Sequence, residues 1–166
     1  MALIGRPNVA RLAASNRFDG LVKAARYKKD PAVREAALAA LSEKVDLLIQ
    51  TLQAKHLPHV YAAREALILV GEPARDRLIF ILREGHVHRR QDAAYVLGEM
   101  RDAAAVPALR LSMHNPDGLL RMICVQALGK IGDASALETL QQALDDREPR
   151  VAKEAQKAID LIAARG

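Results

Sequence analysis

A segment that repeats at an interval of about thirty residues constrains this chain more than any other feature. Pro31-Ala-Val-Arg-Glu-Ala-Ala-Leu-Ala-Ala-Leu41 and Pro149-Arg-Val-Ala-Lys-Glu-Ala-Gln-Lys-Ala-Ile159 agree at the proline, the valine two later, the alanines six and nine later, and the branched aliphatic ten later. The same frame laid from Pro58 places Val60, Leu67 and Ile68; from Val87, Arg90, Ala93, Val96 and Leu97; from Gly118, Leu120, Arg121, Ala127 and Leu128. Starts at 31, 58, 87, 118 and 149 give spacings of 27, 29, 31 and 31 residues. Self-similarity at such a period marks a stack of supersecondary units, each unable to bury its apolar face alone.

The connecting segments repeat too: Gly98-Glu-Met-Arg-Asp102 matches Gly129-Lys-Ile-Gly-Asp133, and Gly71 opens a shorter version. Gly after the last apolar turn reads as a C-cap and Asp beyond it as the next helix start. Each unit is therefore read as two helices. First helices are expected over Arg17 to Tyr27, Val45 to Ala54, Pro73 to Arg83, Ala104 to His114 and Ser135 to Asp145, with partners starting near 31, 58, 87, 118 and 149. A short helix at Asn8 to Ala14 covers the first pair. The fold class expected is all-α: a right-handed α-solenoid of about five hairpins plus an N-terminal capping helix. A single domain over 1–166 comprises a cap (1–16) and repeats at about 17–43, 44–71, 72–101, 102–132 and 133–166.

Composition agrees with this reading. Hydrophobic residues make up 51% of the 166 but aromatics only 3%, so Ala and Leu carry the core and strand formers are sparse. No apolar run reaches the roughly 20 residues of a membrane span, and the N-terminus has too short an apolar run for a signal peptide; the expected location is cytoplasmic. One cysteine, Cys124, makes neither a disulfide nor a thiolate cluster. At the small stacking offset, it reads as a buried apolar group.

Asp30-Pro31-x-Val33-Arg34-x-x-Ala37-x-x-Ala40-Leu41, with the Gly-x-x-x-Asp linkers, resembles the short HEAT-like repeat of the phycobilisome-lyase type over nearly the whole chain. The resemblance implies an α-solenoid that binds proteins, or less often nucleic acid, with its inner helices. It also implies that some members attach bilin chromophores and that others hold two irons through His-Glu pairs for deoxyhypusine hydroxylation. None of His56, His59, His86, His88 or His114 is followed by Glu, so the hydroxylase branch is not matched. His86 and His88 form a His-x-His pair that would ligate a transition metal if an adjacent repeat supplied a third donor, but at a helix start between Gly85 and two arginines they read as ordinary exposed imidazoles, and no nucleotide-binding or nucleophile motif occurs. No catalytic group, metal or cofactor is assigned.

Offsets one, four, eight and eleven of each second helix fall away from the stacking stripe, on the face expected to be concave. They nominate His59, Ala62, His88, Gln91, Tyr95, Leu119, Met122, Gln126, Lys153 and Lys157 as partner-binding residues, with Ala66, Gly98 and Gly129 opening grooves between them. Apolar and aromatic groups on a wetted face point to contact. The expected function is a non-catalytic protein-interaction module that takes a helix or extended segment with an apolar anchor and an acidic portion near Lys153 and Lys157. The alternatives are a bilin-lyase subunit and, given a net charge of +5 and a pI near 9.6, phosphate-backbone binding by a basic face. End-stacking of copies through Leu161 and Ile162 is a further route to oligomers. Structural roles go to Arg34, Arg90 and Arg121, reaching the turns, and to Arg64, at the small stacking offset where the other repeats have Ala37, Ala93, Cys124 and Ala155, paired with Asp92, next to that offset one repeat later, between neighbouring second helices.

Overall fold

The computed structural model describes residues 6–54 and 57–165; residues 1–5 of the expected cap, and His56, lie outside them. Among the described residues the chain is all-α, without a strand. Eleven helices follow in order: α1 (Val9–Ala14), α2 (Phe18–Ala25), α3 (Pro31–Ser42), α4 (Val45–Thr51), α5 (Leu57–Val70), α6 (Glu72–Glu84), α7 (Val87–Met100), α8 (Val106–Ser112), α9 (Gly118–Ile131), α10 (Leu137–Gln142) and α11 (Pro149–Ala163). Short 3-10 turns precede α8 and α10 and follow α10. None of the helices is long and apolar enough to cross a membrane.

The linker aspartates set the starts. Asp30 accepts from the backbone N–H groups of Ala32 and Val33, Asp102 from Ala104, Asp117 from Leu120 and Asp133 from Ser135; Asn8 accepts from Arg11 at α1. Each satisfies donors that a helix start leaves without intrahelical partners. The linker glycines do not all end helices. Gly71 (φ +68°) and Gly132 (φ +80°) adopt the left-handed conformation, and Arg101 (φ 53°) does so at the position equivalent to Gly132. Gly98 and Gly129 lie inside α7 and α9, buried, where the absent side chain serves close packing.

The helices α5, α7 and α9 are each fourteen residues long, so the frame of the second repeat begins on Leu57 and not on Pro58. This one-residue shift corrects two expectations. Ala63, fully buried, occupies the small stacking position, while Arg64 is half-buried beside it. Ala66, expected on the open face, is fully buried.

The chain, expected as one domain, divides into two compact units, Met1–Ala74 and Arg75–Gly166. In the first, α1 packs on α2 and α3, and α2 packs on both α3 and α5. Leu12 of α1 lies over Gly20, where a Cβ would fall 2.5 Å from the leucine Cδ2. Leu21, Ala24, Ala37, Leu41, Leu48, Ala63 and Leu67 form the core.

In the second unit α9 lies between α7 and α11, with α8 packed on it as well. A Cβ on Gly98 would fall 2.7 Å from both Cα and Cβ of Ala127; one on Gly129 would fall 2.9 Å and 2.8 Å from those of Ala158. The side turned to the following helix changes character along the series. Ala94 of α7 and Val125 of α9 are fully buried there, whereas their counterpart in α11, Gln156, is exposed. Where α7 and α9 have Gly98 and Gly129, α11 has Asp160, which accepts from Gln156 Nε2 at 2.9 Å. Ile162 is buried within the unit.

Candidate functional site

The face of the second unit that is left open by the stacking of α7, α9 and α11 gathers eight of the nominated residues. His88, Gln91 and Tyr95 lie on α7; Leu119, Met122 and Gln126 on α9; Lys153 and Lys157 on α11. Tyr95 is 38% exposed and Leu119 43%, Met122 and Gln126 are half-buried, and Lys153 and Lys157 are exposed. Polar contacts run both within and between these helices. The Gln91 amide donates to Asp117 at 3.0 Å, and His88 Nδ1 lies 3.4 Å from Gln91 Oε1. The Gln126 amide donates to Glu154 at 3.2 Å, and Lys157 donates to the other Glu154 oxygen at 2.6 Å. That lysine, with Gln126 assisting, holds the Glu154 carboxyl below its ordinary range against the opposing effect of burial.

Five further residues of this face escape the four-offset pattern. Asp92, Ile123 and Glu154 occupy offset five, and Glu99 and Lys130 offset twelve. Lys130 pairs with Glu99, and its ammonium lies 5.4 Å from the Tyr95 ring centroid, which gives the ring a cationic neighbour. The helical period itself carries the signal, since residues three and four apart share a face. The expected grooves at Gly98 and Gly129 do not exist on this face, because both glycines are consumed by the contacts to Ala127 and Ala158.

His59 and Ala62 belong to the first unit, where they line a cavity of about 600 Å3 together with the α1–α2 turn and α4.

Among the nominated structural residues, Arg121 is 5% exposed. Its Nε and Nη2 donate to the two oxygens of Asp146 at 2.7 and 2.8 Å, and its Nη1 to the carbonyls of Asn115 and Pro116. The guanidinium holds Asp146 below the ordinary carboxylate range, and the hydrogen bond raises the arginine in turn. Arg90, at the same repeat position, reaches only Ser112 Oγ at 3.4 Å, and its Nε is buried without a hydrogen-bond partner among the described residues. Arg34 is half-buried on α3. Arg64 is half-buried on α5 beside the stacking row, and its guanidinium carbon lies 5.9 Å from the Tyr61 ring centroid. In the C-terminal basic cluster, Arg150 pairs with Glu148 and Arg147 donates to the Pro116 carbonyl.

Cys124 is fully buried, and burial pushes its thiol up to about 12. His86 and His88 have no third donor: among the described residues no three His, Cys, Asp or Glu side chains come together. The donors among the described residues thus do not fit a two-iron centre built on His-Glu pairs.

A family model described as HEAT repeats matches residues 76–160. Deoxyhypusine hydroxylase from Gallus gallus is 38% identical over 122 residues, 70% of this chain and 41% of that protein. Epoxyqueuosine reductase from Bacillus subtilis is 37% identical over 79 residues, 46% of this chain and 20% of that protein. The chain thus spans less than half the length of these curated relatives. In fold it resembles the complex of CpcE and CpcF of phycocyanin lyase from Nostoc, with a TM-score of 0.58 and 23% identity over 89% of this chain and 65% of that one. These findings overturn the expectation of a module that is not an enzyme. The curated relatives are named as enzymes, and the hydroxylase branch set aside on the histidines is the one that supplies several of them.

Proposed function

Because the chain belongs to the HEAT-repeat family and its curated relatives carry enzyme names, we propose that it is the substrate-holding repeat segment of an enzyme. In this reading the open face of α7, α9 and α11 positions a polypeptide segment of a macromolecular substrate for a reaction in the cytoplasm. The observation that carries it is the succession across that face. Asp92 and Glu99 lie on α7, exposed Leu119 and half-buried Met122 and Ile123 on α9, and Arg150, Lys153 and Lys157 on α11. An extended segment crossing the helices would seat an apolar residue on α9 and an acidic one on α11. Exposed apolar side chains supply anchoring area and the flanking charges select orientation.

Selection from a displayed library of random peptides tests this reading. Peptides carrying an apolar residue followed by acids are expected to be enriched and to bind wild type, and to lose binding to Met122→Glu and to Lys153→Glu at unchanged melting temperature. Enrichment of no peptide, or binding indifferent to both substitutions, overturns it.

A further inference from the structure

The cavity of the first unit is walled by three separate elements. The turn Ser15 to Asp19 forms one side, Leu47 and Thr51 of α4 a second, and Pro58, His59 and Ala62 of α5 the third. Its volume of about 600 Å3 falls within the range of small-molecule sites, roughly 300 to 1,000 Å3. Its apolar lining comes from Phe18, Leu47, Pro58 and Ala62.

The repeat shows what would otherwise occupy this space. Ala62 stands at offset five of its helix, where α7 has Asp92, α9 has Ile123 and α11 has Glu154. These three counterparts are larger, whereas α3 has Ala36, so a small residue at this offset is shared by the first two repeats and absent from the later ones. At the lip Asn16 adopts the left-handed conformation at φ 51° within a turn closed by backbone hydrogen bonds, and the Lys44 ammonium donates to its side-chain oxygen at 2.9 Å. A non-glycine residue in that region is uncommon and persists where its surroundings fix it. This turn presents Arg17 to the cavity. The guanidinium is largely exposed and only loosely paired with Asp19, at 3.6 Å. Asp19, in the first turn of α2, lines the cavity as well, so the lip sets two cations against one carboxylate. Arg17 and Lys44 therefore leave a net positive lip over an apolar floor.

We propose that this cavity binds a small molecule with an apolar, ring-sized body and a single anionic head, the body resting on Leu47, Pro58 and Ala62 and the head meeting Arg17. The site is separate from the open face of the second unit, and its test does not depend on that reading.

Titration with the fluorescent aromatic anion anilinonaphthalenesulfonate, followed by displacement with a naphthalene carboxylate or with the matching naphthalene methanol, examines the proposal. One saturable site is expected, from which the carboxylate displaces the dye more tightly than the neutral alcohol. Ala62→Ile, which rebuilds the residue found in α9, is expected to weaken binding roughly tenfold or more while the melting temperature is held or raised. Arg17→Gln is expected to weaken the carboxylate and leave the alcohol unchanged. No saturable binding to wild type, binding unaffected by Ala62→Ile in a folded variant, or an alcohol as tight as the carboxylate overturns it.

Discussion

Gly98 lies against Ala127 so closely that a Cβ on the glycine would sit 2.7 Å from the alanine Cα. The relation recurs thirty-one residues on, between Gly129 and Ala158. Backbone against backbone at these points sets how near α7, α9 and α11 approach, and so holds the rows of the open face at their spacing. Gly98→Ala and Gly129→Ala are each expected to destabilise the chain by about 1–3 kcal/mol, because the neighbouring atoms are backbone and cannot move aside cheaply. Urea denaturation of the two variants against wild type measures it, and a midpoint unchanged in either would show that the contact relaxes freely.

Arg121 and Asp146 give stability a defined acid limit. Hydrogen bonds from the guanidinium lower the folded-state carboxyl below its unfolded value of 3.8. Their contribution is therefore complete above about pH 4 and is lost as pH falls through the lower folded value. Asp146→Asn is expected to be less stable than wild type near neutrality and to show a shallower decline below pH 4. Arg121→Ala is expected to cost about 3–5 kcal/mol, since it leaves a largely buried carboxylate without its cation. Melting temperatures recorded from pH 2 to 7 separate these outcomes from a pair that contributes nothing.

One repeat earlier the same geometry is incomplete. Asp146 Oδ1 accepts from the Glu148 backbone N–H at 2.9 Å, and Asn115 Oδ1 accepts from that of Asp117 at 2.9 Å. Asn115 is thus the counterpart of Asp146, an amide where Arg121 meets a carboxylate, and Arg90 is left with a buried Nε lacking a partner. Asn115→Asp is expected to raise the melting temperature by a few degrees, equivalent to about 1 kcal/mol or more. The gain should vanish in an Arg90→Met background, which a double-mutant cycle reads directly.

The thiol of Cys124 is fully buried and pushed up to about 12. Native protein at pH 7.5 is expected to resist thiol-specific reagents for hours and to react with one equivalent within minutes in denaturant, because the thiolate is the reacting species. Rapid labelling of the folded chain would place the sulfur at an accessible surface instead.

The sequence made the helices legible because capping and periodicity agree at most boundaries: Asp30, Asp117 and Asp133 each start the expected element, and Pro31 and Pro149 occupy first turns where they cost nothing. The second repeat was misread by one position because Pro58 resembles the prolines at 31 and 149, yet it is the second residue of α5. That slip moved Arg64 onto the stacking row and Ala66 onto the open face. Gly98 and Gly129 were misread because a glycine near a helix end carries the same local signature whether it caps or packs. Only the position of Ala127 and Ala158 distinguishes the two. The wider misreading concerned activity, since no catalytic motif marks this stretch and yet the curated relatives it resembles are enzymes.

The Gln156–Asp160 pair on α11 bears on how such a chain can lengthen. Genes for repeat proteins grow by copying a unit in tandem. A copy placed beyond α11 would have to seat its helix on an amide and a carboxylate at the rows where α7 and α9 offer Ala94, Gly98, Val125 and Gly129. A copy of residues 87–117 inserted ahead of α9 would instead meet matched surfaces on both sides. A helix seated on that side of α11 would therefore need a contact unlike the glycine–alanine approach that joins α7 to α9 and α9 to α11.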